Sequence, residues 1–317
     1  MLTMAGLAFP KAEGAEIEIR QGGTQLGIEL GPGLGRDVDG DPWRDWMRTA
    51  LRAAATATGR VPRRRIVVDL RAAPSSHRTI AFGQVRRERP PRIILWVDPE
   101  ADLEALKSDW RGYHELAHLL IPFPGNRDIW FTEGFASYYQ YLLQSRAGLI
   151  SEPEAWTRLL AGFRRGIQDP SGRGRTLRNL SPDMWRDDAF RRVYWTGAAF
   201  FLRVDVRLRV ESDGEHSLDR ALARFHECCL DTDRRWRAAE LVERLGMLSI
   251  ASIWREEYRR TIDQPAEPEI EPALARLGIV SDRTSTIFSE FPEARQLRQA
   301  IAGRRTERPD QESGGLP

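Results

Sequence analysis

Residues 110–140 read WRGYHELAHLLIPFPGNRDIWFTEGFASYYQ, and within them HELAH at 114–118 decides the architecture. On an α-helix, residues four apart lie about 6 Å apart along the axis and on nearly one face, so the imidazoles of His114 and His118 can reach one cation. Glu115 then sits at the open side of that cation, where a carboxylate can take a proton from water acidified by zinc. Leu103, Leu106, Trp110, Ala117 and Ile121 recur around the motif as a core stripe, and Pro122 stops the helix. This context favours an active-site helix over one with two solvated histidines and an exposed glutamate.

A catalytic zinc takes a third protein ligand and keeps a fourth position open. Glu133 stands at the start of a second amphipathic helix, after a loop with Pro122, Pro124 and Gly125 that can return the chain antiparallel. It is the expected third ligand. The alternative is an N3 capping role, with Asp128 the one other acid nearby. Ser137, one turn on, is a candidate to orient a ligand.

Working outward, 317 residues at 41% hydrophobic and 30% charged suffice for one large domain or two coupled ones. No apolar run approaches the roughly 20 residues of a membrane-spanning helix, which excludes a polytopic membrane protein. Forty-eight basic against 46 acidic residues leave a net charge of +2, too balanced for a dedicated nucleic-acid binder. The first ten residues, MLTMAGLAFP, lack a positive n-region and a full h-region. As written the expected location is cytoplasmic; a truncated signal peptide would make it periplasmic or secreted.

Residues 15–30 alternate and break at Gly22-Gly23, as a hairpin or two edge strands would. The linker GPGLGRDVDGDP that follows does not have the order of a nucleotide loop. Asp37, Asp39 and Asp41 are spaced like calcium ligands, but Arg48 occupies the position of the bidentate glutamate, so turn and N-cap roles are expected. Trp43, Trp46, Met47, Ala50, Leu51 and Ala54 mark an amphipathic helix ending near Gly59. Strands are expected at 65–70 and 92–97, with a weaker one at 80–85. From Asp98-Pro99, taken as cap and first turn, the chain reads helical to about 262, interrupted by a loop at 169–183. The fold class is thus α+β, a small mixed sheet subdomain followed by a mainly helical C-terminal subdomain. The divisions are 1–40, 41–125, 126–265 and 266–317, the last with a disordered tail from 303.

Of the remaining reactive residues, Cys228 and Cys229 are adjacent in an expected helix and read as buried thiols, not as a framework disulfide or second metal site. His77 reads as solvated, and His216 and His226 as ordinary helix or surface residues. Phe200, Phe201, Val204 and Leu208 form a core stripe, and Asp205 reads as an ion-pair partner within it rather than a group behind the metal ligands.

HELAH followed by WFTEGFASYY resembles the gluzincin metallopeptidases, in which HExxH and a downstream glutamate bind one zinc, and among them the alanyl and glycyl aminopeptidase families. RVYWTGAAFFLRVDVRLRVESDGEHSLDRAL at 192–222 is similar to the glycyl aminopeptidase pattern of a tyrosine before a glycine, an Asp and Arg pair, and a Ser-Leu-Asp helix start. The resemblance covers roughly residues 110–230 by the motif-in-context criterion. It implies a thermolysin-like zincin catalytic domain, one Zn2+ per chain on His114, His118 and Glu133, Glu115 as general base and Tyr194 as oxyanion donor. Peptide or protein substrates follow, with no nucleic acid.

Two departures from the family pattern stand out. The 14 residues between His118 and Glu133 are fewer than such aminopeptidases carry, implying a trimmed cleft rim. Where the family has a glutamate-bearing strand that grips a free amine, TIAFGQVRRE at 79–88 offers glycine, glutamine and arginines, with Glu88 the nearest acid. Exopeptidase and endopeptidase modes both stay open. Arg86 and Arg87 read as a solvated strand edge, with recognition of a carboxylate as the alternative. A catalytically silent binding module of the same fold and a zinc hydrolase of non-peptide substrates are the rival functions.

Overall fold

The computed structural model describes residues 16–35, 42–73, 78–230, 234–282 and 285–305. Alternating apolar residues build a hairpin of β1 (Glu16–Gln21) and β2 (Thr24–Leu30). Gly22 and Gly23 turn it with φ of +54° and +79°, a left-handed pair that glycine adopts without steric penalty. After α1 (Pro42–Ala55) come β3 (Arg65–Ala72), β4 (Ile80–Arg86) and β5 (Arg92–Val97), giving a mixed sheet in the order β1-β2-β3-β5-β4. β2, β3 and β5 run parallel, while β1 and β4 are antiparallel to their neighbours, so β4 is an edge strand.

The helical stretch expected from Asp98-Pro99 begins later and is divided. Asp102 caps α2 (Leu103–Ser108) by accepting from Ala105 N, and Asp109 caps α3 (Trp110–Ala117) by accepting from Arg111 N. An acceptor side chain at residue 109 satisfies the orphan amide of a new helix, so the chain restarts there instead of running through. α3 passes into a 3-10 turn at His118–Leu120, with His118 itself still right-handed helical at φ −57° and ψ −23°. The four-residue register of the two histidines therefore survives.

The helical half comprises α4 (Ile129–Arg146), α5 (Glu152–Gln168), α6 (Leu177–Leu180), α7 (Phe190–Glu211), α8 (Leu218–Cys228), α9 (Ala238–Met247), α10 (Ala251–Ile262), α11 (Glu271–Leu277) and α12 (Pro292–Ala302). A short hairpin of β6 (Ile279–Ser281) and β7 (Thr286–Phe288) lies between α11 and α12. α4 is buried on nearly every side and forms the centre of this half. One apolar core runs unbroken from Ile17 on the sheet to Ala302 on α12. Among the described residues, no helix is long and apolar enough to cross a membrane.

Several sequence readings meet the structure here. Asp205 is an ion-pair partner as expected: it accepts from Arg209 Nε at 3.0 Å, from Tyr138 OH and from Leu218 N. Cys228 and Cys229 are not separate thiols but a vicinal disulfide. α8 ends at Cys228, and Cys229 leaves helical geometry at φ −138°, which lets the two sulfurs face each other. His77, Asp37, Asp39, Asp41 and the tail residues 306–317 lie outside the described residues. Of the tail expected from 303, Arg305 reaches into the helical half and binds Asp219.

Candidate metal centre

The site lies where α3, α4 and α7 meet the edge strand β4. His114, His118 and Glu133 each offer one ligand atom, and these atoms all lie within 4.8 Å of one another. Among the described residues this is the group able to hold a metal ion. His114 Nε2 and His118 Nε2 lie 3.3 and 3.6 Å from Glu133 Oε2, so both rings turn the same nitrogen to a common point.

What fixes the rings is on α4. His114 Nδ1 is 2.9 Å from Gln140 Oε1, and His118 Nδ1 is 2.9 Å from Thr132 Oγ1. With Nδ1–H donated to these oxygens, the Nε2 lone pairs are left free for a cation, as metal-binding histidines require. Two imidazoles and a carboxylate suit zinc, and their placement fits that ion. Gln140 and Thr132, not Ser137, bond the imidazoles. The periodicity held the signal: Gln140 is seven residues, two helical turns, beyond Glu133, and Thr132 is its neighbour.

Glu115 is buried beside His114. Burial pushes its carboxyl up to about 7, reinforced by the charge of Glu133 and opposed by His114 and Arg87. A cation at the centre would draw it down again. Burial also works against the Glu133 carboxylate, but the charge of His118 and hydrogen bonds from both rings, when they carry a proton on Nε2, outweigh it and hold the group well below the usual range; a cation would take the place of those protons. Burial lowers His118; at His114 it is outweighed by the hydrogen bond to Glu133 and nearby carboxylate charge, which raise that ring. Strand β4 closes over Glu115 at Gly83, where a Cβ would lie 2.7 Å from Glu115 Oε1. Only glycine lets the strand pass so near.

Tyr194 is brought to the centre as well. Its ring stacks on His114 at 6.3 Å between centroids, and its hydroxyl interacts with the Glu133 carboxylate. Burial, with the charges of Glu133 and Glu115, raises its pKa far above the usual phenol range, so it stays a proton donor. Its neighbour Trp195 faces the other way, into a groove on α5 kept open by Gly162 and Gly166. Tyr194 packs edge-on against Phe190 on one side, at 6.4 Å between centroids, and faces His114 and Glu133 on the other. His226 on α8 does more than its sequence suggested, since Nε2 lies 2.7 Å from the carbonyl of Leu120.

Residues 124–198, which carry Glu133, Tyr194 and Gly197, match the M61 glycyl aminopeptidase family. No curated protein matches the chain at the sequence level. An aminopeptidase N family protein from Idiomarina loihiensis superposes with a TM-score of 0.62 at 14% identity, over 84% of this chain and 50% of that one. An M1 zinc metallopeptidase from Deinococcus radiodurans, in a mutant form bound to a Tyr-Ser-Ala substrate, gives 0.52 at 17% identity, over 81% of this chain and 53% of that one. The chain spans about half the length of these structures. The chain is thus similar to the M61 glycyl aminopeptidases over residues 124–198 and, in its α+β fold, to M1 zinc metallopeptidases.

Proposed function

We propose that this protein is a single-zinc peptidase that hydrolyses peptide bonds. The observation that carries the reading is the meeting of five groups at one point: Nε2 of His114 and His118 with the Glu133 carboxylate as a ligand set, and Glu115 and Tyr194 beside them. Zinc bound there supplies Lewis acidity, acidifying water and polarising a scissile carbonyl.

The chain's own residues do the rest. Gln140 and Thr132 orient the two imidazoles. Glu115 takes a proton from the attacking water on its carboxylate and delivers it to the departing amine nitrogen. The Tyr194 hydroxyl donates a hydrogen bond to the oxygen that becomes negative as the carbonyl carbon turns tetrahedral. The outer edge of β4, which passes over Glu115 at Gly83, could offer main-chain pairing to an extended peptide. That edge favours a peptide over a compact substrate.

Elemental analysis of protein purified without chelators, paired with an internally quenched peptide panel, tests the reading. The expected result is about one zinc per chain, chelator-sensitive cleavage, and loss of most of the metal in His118→Ala. Protein that neither contains nor takes up a transition metal would sink it.

A further inference from the structure

The charges around the metal centre point to a substrate class. Glu115 feels three charged neighbours: His114, Glu133 and Arg87. His114 and Glu133 are ligands and Glu115 handles the proton, so Arg87 is the charged group left over. It follows directly on the last residue of β4, the strand that crosses Glu115 at Gly83. Its Nη1 donates to the carbonyl of Ile121 at 3.0 Å, which anchors the guanidinium at the end of the 3-10 turn carrying His118.

Arg87 is exposed to water, yet burial is the largest influence on its guanidinium and, with Arg63, draws its pKa down to about 10. Its guanidinium lies near enough to Glu133 and Glu115 for both carboxylates to act on its charge. At that value it remains cationic at neutral pH. Guanidinium carries five N–H donors, of which Ile121 engages one among the described residues, leaving a fork able to meet a carboxylate with two parallel hydrogen bonds. Arg63, which donates to the carbonyl of Leu119 at 3.3 Å, adds a second positive charge nearby. Among the described residues, the carboxylates that act on Arg87 are Glu133 and Glu115, the one assigned to the metal and the other to the proton, so a substrate ammonium entering here would meet arginine.

We propose that Arg87 is a substrate-binding residue that receives a carboxylate, so that the site takes peptides bringing an anionic group, not a free α-amine, to the metal. This rests on the peptidase reading above. The carboxylate could be an Asp or Glu side chain near the scissile bond or a free C-terminus, and matched substrates separate the two.

The test uses the full, zinc-loaded chain and N-acetylated, internally quenched peptides in pairs: Glu against Gln at each of four positions around the cleaved bond, and free C-terminus against amide. At least one pair should favour the carboxylate by about tenfold or more in kcat/KM, as expected for a charge-assisted, bidentate contact. Acetylated peptides should be cleaved at least as well as free-amine ones. Arg87→Gln should bring the favoured ratio close to one while zinc content and thermal midpoint hold. Ratios near one in the wild type, a ratio that survives in Arg87→Gln, or strict dependence on a free amine would each overturn the proposal. If Arg87→Gln loses metal or unfolds, the wild-type ratios still decide. If no peptide is cleaved, the peptidase reading has failed instead; calorimetric binding of the same pairs to zinc-free protein then judges Arg87, equal affinities counting against it.

Discussion

Gly134 of α4 and Gly197 of α7 meet backbone to backbone: a Cβ on Gly134 would lie 2.4 Å from Gly197 Cα, and one on Gly197 would lie 2.4 Å from the carbonyl oxygen of Trp130. This crossing sets the distance between Glu133, adjacent to Gly134, and Tyr194, one turn before Gly197. Gly197→Ala must push the helices apart. It should lower stability by roughly 1–3 kcal/mol, the usual range for overpacking, and weaken zinc binding by pulling Glu133 back. Urea midpoints and metal titration check this; wild-type values in both would show slack at the crossing.

In the proposed mechanism Glu115 handles the proton and does not bind the metal. Glu115→Gln should therefore keep its zinc and its fold while turnover falls by about 10²-fold or more. Paired metal analysis and steady-state kinetics decide it. Near-normal turnover would put the proton on another group.

Tyr194→Phe removes one hydroxyl and leaves the ring stacked on His114. Because the phenol is assigned to an oxygen that gains charge only in the transition state, kcat should drop by about 10²-fold with KM little changed and zinc retained. A rise in KM with kcat intact would make Tyr194 a pocket wall instead.

Far from the metal, Asp219 accepts from Arg146, Arg209 and Arg305, and Arg146 is fully buried. Burial opposes ionisation of Asp219, but the three arginines prevail and hold its carboxyl well below the usual range. A depressed folded pKa means the stabilisation is fully present above the ordinary carboxylate pKa of about 4 and is lost as pH falls toward the folded value. Asp219→Asn should lose about 3–5 kcal/mol at neutral pH, since Arg146 would stay buried without its partner charge. Urea unfolding at pH 7 and pH 3 should show the gap between wild type and variant narrowing in acid.

The ligand set was legible because it obeys helical period: His114, His118 and Glu133 follow from spacing and from the position of one helix start. The five strands of the mixed sheet also read true, since their apolar runs are short and bounded by turns; the three-residue strands β6 and β7 are too short to show a period and were not read. Gln140 and Thr132 escaped because a glutamine or threonine on a buried helix carries no distinctive pattern until the opposing ring is known. The break at Asp109 was hidden because the apolar stripe runs through both α2 and α3 while the cap acts locally. The vicinal disulfide depends on where α8 stops, to within one residue. Arg87 reads as a strand-edge cation in sequence; its contact with Ile121, 34 residues on, exists only in three dimensions.

Three consecutive carbonyls beyond the metal helix, of Leu119, Leu120 and Ile121, are each held by a different side chain: Arg63 before β3, His226 on α8 and Arg87 after β4. The turn carrying His118 is thus moored to the sheet at two points and to the helical half at a third. Such a turn has little freedom left for a metal to remove. The histidines are organised by folding itself, so an ion would enter a finished socket, unlike the small domains that collapse only around their zinc. Its contribution to stability is then simple mass action, rising with the logarithm of free metal above the dissociation constant. Stripping the metal should leave a folded, silent protein ready to be refilled.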